Sequence, residues 1–211
     1  MSYKPEYKYL PPFGRHTLTP MYDFFCSVTG INKRFREKVL RAVPLQDSYT
    51  VADVGCGTGV FLKVAGDHYP HVRFLGFDPD SRALEIAKGR LIKSGLKVEL
   101  EQAFAESLPM PDVSVDVCFS SLAFHHMPDT IKKKAIAEIH RVLKPGGRVV
   151  IADFGETKSV FIRKILFFEK LEYIEGNFRG LINLYLKEAG FRDIKTVFER
   201  FPAIKILVGR K

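Results

Sequence analysis

Cysteine is scarce in this 211-residue chain, and Cys26, Cys56 and Cys118 form no C-x-x-C pair. That argues against a disulfide scaffold or a cysteine zinc site, and fits a reducing cytoplasm. Long apolar runs are absent too. None reaches the roughly 18 residues of a membrane span, and the opening MSYKPEYKYLPPFG lacks the apolar stretch of a signal peptide. No metal-ligand set and no internal repeat stands out. The expectation is a cytoplasmic protein with no metal centre, and no motif sets an oligomeric state.

What is present suits a soluble globular protein: 46% hydrophobic and 27% charged residues. The length predicts one domain with a full core. The net charge of +9 is unevenly spread. Residues 1–41 and 154–211 are each strongly basic, whereas 42–153 are nearly neutral. Basic flanks suit an anionic partner, such as an acidic small molecule, a phospholipid surface or nucleic acid, or they serve solubility alone.

The most informative stretch is Thr50 to Phe61, TVADVGCGTGVF. Thr50, Val51, Ala52 and Val54 read as a short buried strand. Gly55-Cys56-Gly57-Thr58-Gly59 reads as a tight turn, and Phe61, Leu62, Val64 and Ala65 follow at helical spacing. A strand running through glycines into a helix gathers backbone N–H groups at one point. A dinucleotide site would want G-x-G-x-x-G. Here the third glycine comes one place early, at Gly59, and Val60 stands where that pattern needs glycine.

Along the chain, residues 1–20 read as an irregular arm, broken by Pro11, Pro12 and Pro20. Residues 21–43 read as two short helices divided at Gly30. Further strands are expected at Val72–Phe77, Val98–Gln102, Val113–Phe119 and Arg148–Asp153, with helices after Ser81 and from Asp129, whose side chain can cap that helix. Pro145-Gly146-Gly147 reads as a turn. Helices are expected at Ser159–Glu175 and Gly180–Ala189, then a hairpin of Ile194–Arg200 and Ala203–Val208 around Pro202. This alternation predicts an α/β fold: a doubly wound, Rossmann-like, mostly parallel seven-stranded sheet with an antiparallel C-terminal edge strand. Residues 1–48 would supply an arm and lid helices, 49–154 a ligand-binding core, and 155–211 substrate-side helices and the hairpin.

The ordered set VADVGCGTG, FLGFDPD, AESLPMPDVSVDVCFSSLAFHH and LKPGGRVVIADF resembles the four core motifs of class I S-adenosylmethionine-dependent methyltransferases, over about half the chain. The match is nearest to the group that includes the ubiquinone and menaquinone biosynthesis C-methyltransferases. MYDFFCSVTGINKRFREKVL also resembles the Tyr-Asp segment of that group. The resemblance implies S-adenosyl-L-methionine as cofactor. Asp53, Gly55, Cys56, Gly57, Thr58 and Gly59 would form its methionine-side turn. Asp78, with Pro79, would take the ribose hydroxyls; the alternative for Asp78 is a helix N-cap. Ala105 and Glu106 would flank adenine, Ser120 would sit near the methyl group, and Tyr22 would close over it. Phe104 departs from relatives that carry Asp or Asn there, which would accept from the adenine amino group.

His126, His125 and Ser121 are the candidate catalytic residues, with histidine a plausible base near neutral pH; the alternative is that the pair only shapes the loop. Lys132-Lys133-Lys134 reads as a solvated helix face. Val160 to Leu171 could lie at a membrane surface or face the core. The reaction implied is methyl transfer to a small hydrophobic acceptor, with anionic and lipid-linked acceptors included. The alternatives are a phospholipid head-group or nucleic-acid methyltransferase, or a non-catalytic S-adenosylmethionine-binding subunit. Nucleic acid ranks low because Ser120-Ser121-Leu122-Ala123 is not the Asn/Asp-Pro-Pro-aromatic motif of amino-methylating enzymes.

Overall fold

Strands buried on both faces need helices on both sides, and this chain supplies them. The computed structural model describes residues 31–159, 173–200 and 204–211. Its strands are β1 (Thr50–Val54), β2 (Arg73–Asp78), β3 (Glu99–Gln102), β4 (Val115–Ser121), β5 (Leu143–Phe154), β6 (Arg192–Arg200) and β7 (Ile204–Arg210). They form one sheet in the order β3-β2-β1-β4-β5-β7-β6. Strands β1 to β5 pair in parallel. The antiparallel member is β7, which inserts between β5 and the edge strand β6.

The helices are α1 (Lys33–Leu40), α2 (Val60–His68), α3 (Ser81–Lys93), α4 (Asp129–Val142), α5 (Glu175–Phe178) and α6 (Leu181–Glu188). Alternation along the strands sends side chains to opposite faces. Ala52, Val54, Val149 and Ile151 pack in one cluster with Ile136 and Ile139 of α4 and Leu186 of α6. Val51, Phe119 and Val150 pack in the other with Phe35 and Val39 of α1 and Phe61 and Leu62 of α2. The result is a three-layer, doubly wound architecture, as the alternation predicts.

Local details differ from the sequence reading. Val113 has φ +55° and is exposed, so it turns the chain, and β4 starts at Val115. The strand then runs on to include Ser120 and Ser121, which the sequence reading placed after it. The Pro145-Gly146-Gly147 turn is absorbed into β5, which begins directly after α4; pairing jumps there from Val115↔Leu143 to Val117↔Arg148. Asp129 does not cap α4. Pro128 holds the N-cap position without a side-chain bond, and Asp129 is the first helical residue. A lost cap costs about 1 kcal/mol, against about 1.5–3 kcal/mol for each large apolar side chain buried. Ile131, Ile136, Ile139 and Val142 therefore outweigh it. The cap of α3 is Asp80, which accepts from Arg82 N and Ala83 N. That removes the N-cap alternative for Asp78.

Tyr22, Cys26, the first half of the 21–43 helical stretch, Val160 to Leu171 and Pro202 lie outside the described residues. Among the described residues, no helix is long and apolar enough to cross a membrane.

Strand order reverses between β1 and β4. In open α/β sheets the crevice beyond the strand ends at such a reversal is where ligands bind. Both segments singled out from sequence, the glycine turn after β1 and the His pair after β4, emerge there.

Candidate functional site

The first wall of the crevice is backbone. Gly55 N and Cys56 N donate to Phe77 O at 2.8 and 3.0 Å, fastening the turn to β2. Gly55 has φ +77°, and a Cβ there would stand 2.4 Å from Ala123 Cβ. Only glycine lets this turn touch the segment after β4. Gly57 also has positive φ, at +51°, but a Cβ on it would meet nothing within 4 Å. Its bare side faces open space. Gly59 holds the N-cap of α2, and Lys63 N donates back to its carbonyl at 2.9 Å. Arg90 of α3 steadies the turn from behind, donating to Thr58 O and, at 2.9 Å, to Thr58 Oγ1.

Two buried carboxylates flank this turn. Asp78, at the end of β2, accepts from Gly57 N at 2.8 Å and from Asp80 N at 2.9 Å, one bond to each oxygen. Burial raises its pKa to about 6, although these two N–H bonds pull the other way. An ionised carboxylate offers about four lone-pair sites, so Asp78 keeps acceptor capacity for a further ligand. Asp53, at the end of β1, is buried, and neither carboxylate oxygen has a hydrogen-bond partner. Burial, reinforced by the Asp78 charge, raises its pKa to about 8, with Arg36 of α1 opposing. An unpartnered buried acid is costly as an anion and takes up a proton instead.

The loop after β3 closes this end. Ala103 N donates to Asp78 O at 3.2 Å, and Gln102 Nε2 to Pro79 O at 2.9 Å. Ala103 and Pro79 are thereby tied together at the end of β2, and Ala105 and Glu106 follow in the loop, Ala105 buried. Phe104 sits in a tight turn with Ser107, whose N–H donates to its carbonyl at 3.0 Å. Cys56 is buried, and burial pushes its thiol pKa well up, so it behaves as an inert apolar group.

The second wall is made of side chains. Leu122, just past β4, has φ +58°, an uncommon strain for a bulky residue. It leads into a one-turn 3₁₀ helix, Phe124–His126. That turn is organised by Asp153, near the end of β5. Its Oδ2 accepts from Phe124 N at 2.8 Å and His125 N at 3.4 Å, and its Oδ1 lies 2.8 Å from His125 Nδ1. Asn177 of α5, fully buried, donates to Asp153 Oδ1 at 3.3 Å and to Phe154 O at 3.1 Å. His125 is buried, whereas His126 is half-buried, its ring centroid 4.1 Å from that of His125. Burial and the neighbouring His125 hold the His126 pKa well below the ordinary histidine value, so it is neutral at pH 7. A neutral, partly accessible imidazole can accept a proton.

The two serines divide. Ser120 is fully buried and its Oγ donates to Val54 O at 2.8 Å, tying β4 to β1. Ser121, half-buried, ends the strand beside the crevice. Lys132 is not on a solvated face: its side chain is completely buried, while Lys133 is exposed and pairs with Glu188 at 3.1 Å. Sequence reasoning passed over Asp153 and Asn177 and took Lys132 as solvated. For Asp153 the signal was there, an acid at the C-terminal end of a parallel strand. For Lys132 it was helical spacing with Ile136 and Ile139. For Asn177 there was none.

The crevice suits a ligand with cationic and hydroxyl groups. Gly57 leaves room against the backbone, Asp53 is an orphaned buried acid and Asp78 an anchored acceptor. Among the described residues, no cluster of His, Cys, Asp and Glu could hold a metal ion.

The family described as a methyltransferase domain matches residues 51–147. The ubiquinone/menaquinone biosynthesis C-methyltransferase UbiE of a Geobacter species is 31% identical over 205 residues, covering 85% of this chain and 86% of that protein. A demethylmenaquinone methyltransferase of Thermus thermophilus is 27% identical over 195 residues, covering 90% of this chain and 85% of that protein. A solved S-adenosylmethionine-dependent methyltransferase from Aquifex aeolicus is 26% identical with a TM-score of 0.62, over 83% of this chain and 88% of that one.

Proposed function

The chain belongs to the class I S-adenosylmethionine-dependent methyltransferases, and from that premise we propose that it methylates a small apolar acceptor resembling a quinone precursor. The observation that carries the reading is the pairing of an open glycine turn with two buried carboxylates, Asp53 and Asp78. The names of the relatives support the acceptor class. We read residues 1–211 as one catalytic unit.

When bound, the cofactor supplies a methyl group already activated by its sulfonium. The protein's work is to bind, align and exclude water. Gly55 to Gly59 present backbone to the methionine portion. Asp53 faces its cationic end, and a cation there draws the proton off the buried acid. Asp78 accepts from the ribose hydroxyls while Gly57 N and Asp80 N hold it in place. Pro79, Ala105 and Glu106 border the adenine, with Phe104 contributing apolar surface in place of an acceptor. On the acceptor side, Asp153 fixes the His125 ring by taking its Nδ1 proton in a hydrogen bond. His125 in turn backs His126, which takes the proton that the acceptor must lose at Nδ1 or Nε2. Ser121 borders the same space.

Calorimetric titration with S-adenosylmethionine, S-adenosylhomocysteine and NADH tests the cofactor half, on wild type and Asp78→Ala. Both sulfur ligands should bind wild type, with loss in the variant and no NADH binding. Absence of binding by either sulfur ligand would withdraw the reading. Transfer of labelled methyl to demethylmenaquinone tests the acceptor half. No transfer to it, with turnover on phospholipid or RNA instead, would replace the acceptor class.

A further inference from the structure

Lysine is almost never fully buried unless it is paired. Lys132 on α4 is such a case. Its ammonium donates to Asp129 Oδ1 at 2.9 Å, one helical turn back, and to Tyr173 O at 2.6 Å, 41 residues away. Three residues after Tyr173, Gly176 packs so closely on the same Asp129 that a Cβ would fall 1.9 Å from its Oδ1. The next residue is Asn177, bonded to Asp153 Oδ1 and Phe154 O. The short stretch of chain from Tyr173 to Asn177 thus joins two sets of polar contacts, that of Lys132 with Asp129 and that of Asp153 with His125.

We propose that Lys132 is a positioning residue for the acceptor side: it latches the chain at Tyr173 onto α4 and so keeps Asn177 in register with the Asp153–His125 pair. The short helix α5 has one turn and no side-chain N-cap bond. A helix that short is marginal by itself, so its place is set by tertiary contacts. Lys132 ties down the chain just before it, Asn177 within it bonds Asp153 and Phe154, and Gly176 permits the close approach to Asp129. Burial lowers the Lys132 pKa, and the hydrogen bond and charge of Asp129, with the charge of Asp153, oppose it. The inference rests on the methyltransferase reading only for its catalytic consequence; the latch itself is a statement about α5.

Hydrogen exchange of the full chain reads the latch without any substrate. In wild type, Phe178 N donates to Ile174 O, Arg179 N to Glu175 O and Thr157 N to Phe178 O. Lys132→Met keeps the length of the side chain and removes the charge and the donors. These amides should exchange at least ~10-fold faster in Lys132→Met, with those of β1 and β2 unchanged. Gly176→Ala, which forces α5 off Asp129 while leaving Lys132 intact, should do the same and guards against a Lys132 variant that fails to fold. Kinetically, both variants should raise the acceptor KM or lower kcat while the S-adenosylmethionine Kd stays within two-fold. A lysine that merely supported the core would speed exchange across α4 and β4 alike, and that pattern would overturn the latch. So would unchanged exchange at 174–180 in folded variants. Faster exchange in a protein that transfers no methyl group would uphold the latch and sink the proposed reaction instead.

Discussion

The two walls of the crevice are built by different means. The proposed cofactor wall is backbone shaped by the positive-φ glycines Gly55, Gly57 and Gly59, with Gly57 N and Asp80 N both donating to Asp78. The acceptor wall is side chains brought from afar: His125 meets Asp153 across 28 residues, and Lys132 meets Tyr173 across 41. A turn shaped by positive-φ glycines tolerates few alternatives, and its pattern stays visible in the chain. A polar network assembled across strands and helices can be built from many residue combinations. A common core binding one cofactor can therefore present different acceptors with a different second wall.

The largest effect should come from the residue both walls share. Gly55→Ala places a Cβ against Ala123 and strains the positive φ, at about 3 kcal/mol in all. Thermal unfolding should show a loss of roughly 6–12 °C, with cofactor affinity and acceptor turnover both collapsing. Retained S-adenosylmethionine affinity would mean that the two walls are less tightly joined than their contact implies.

Asp153→Ala should separate them. It leaves Phe124 N and the His125 ring without their acceptor, at about 1–3 kcal/mol for each buried group left unsatisfied. Turnover should fall at least ~100-fold, while calorimetry finds S-adenosylmethionine binding within about three-fold of wild type. A matching loss of cofactor affinity would break the distinction between the walls.

His126→Gln is gentler on the fold and should lower kcat by roughly 100-fold. Because the His126 pKa is held down, the acidic limb of the wild-type kcat/KM profile should lie well below pH 6.5. A limb at or above the ordinary histidine value would assign the titration to another group.

Asp53 tests the cofactor wall through pH. Its folded pKa of about 8 exceeds the ordinary 3.8, so the folded state binds a proton that the unfolded state releases. The associated stability is complete below about pH 4 and is lost as pH rises through 8. Asp78, at about 6, adds the same sign over a narrower window. Urea unfolding of the ligand-free protein should show Asp53→Asn gaining on wild type between pH 5 and pH 8. A difference independent of pH would show that Asp53 is already ionised. The smallest effect is expected at Lys133→Ala, within about 0.5 kcal/mol for an exposed pair.

Much of this was readable beforehand because it is local. The D-x-G-x-G-x-G spacing, the acid ending β2 and the alternation of strands and helices survive in any chain that must make this turn. Lys132 was misread for an instructive reason. Three lysines in a row suggest solvent by composition, but the helix turns 100° per residue, and only the first falls on the face of Ile136 and Ile139. Asp129 was taken for a cap because it precedes the helix; Lys132, one turn on, claims its carboxylate instead.

By itself, the sequence determined the parallel core, the order of its elements and the glycine turn after β1, since each follows from periodicity or from a conformation that only glycine adopts cheaply. The tertiary structure alone decided that β7 slips between β5 and β6, that Asp153 governs the His turn, and that Lys132 is buried rather than solvated. Those outcomes depend on which distant groups compete for one another once water is excluded, and no local pattern records that competition.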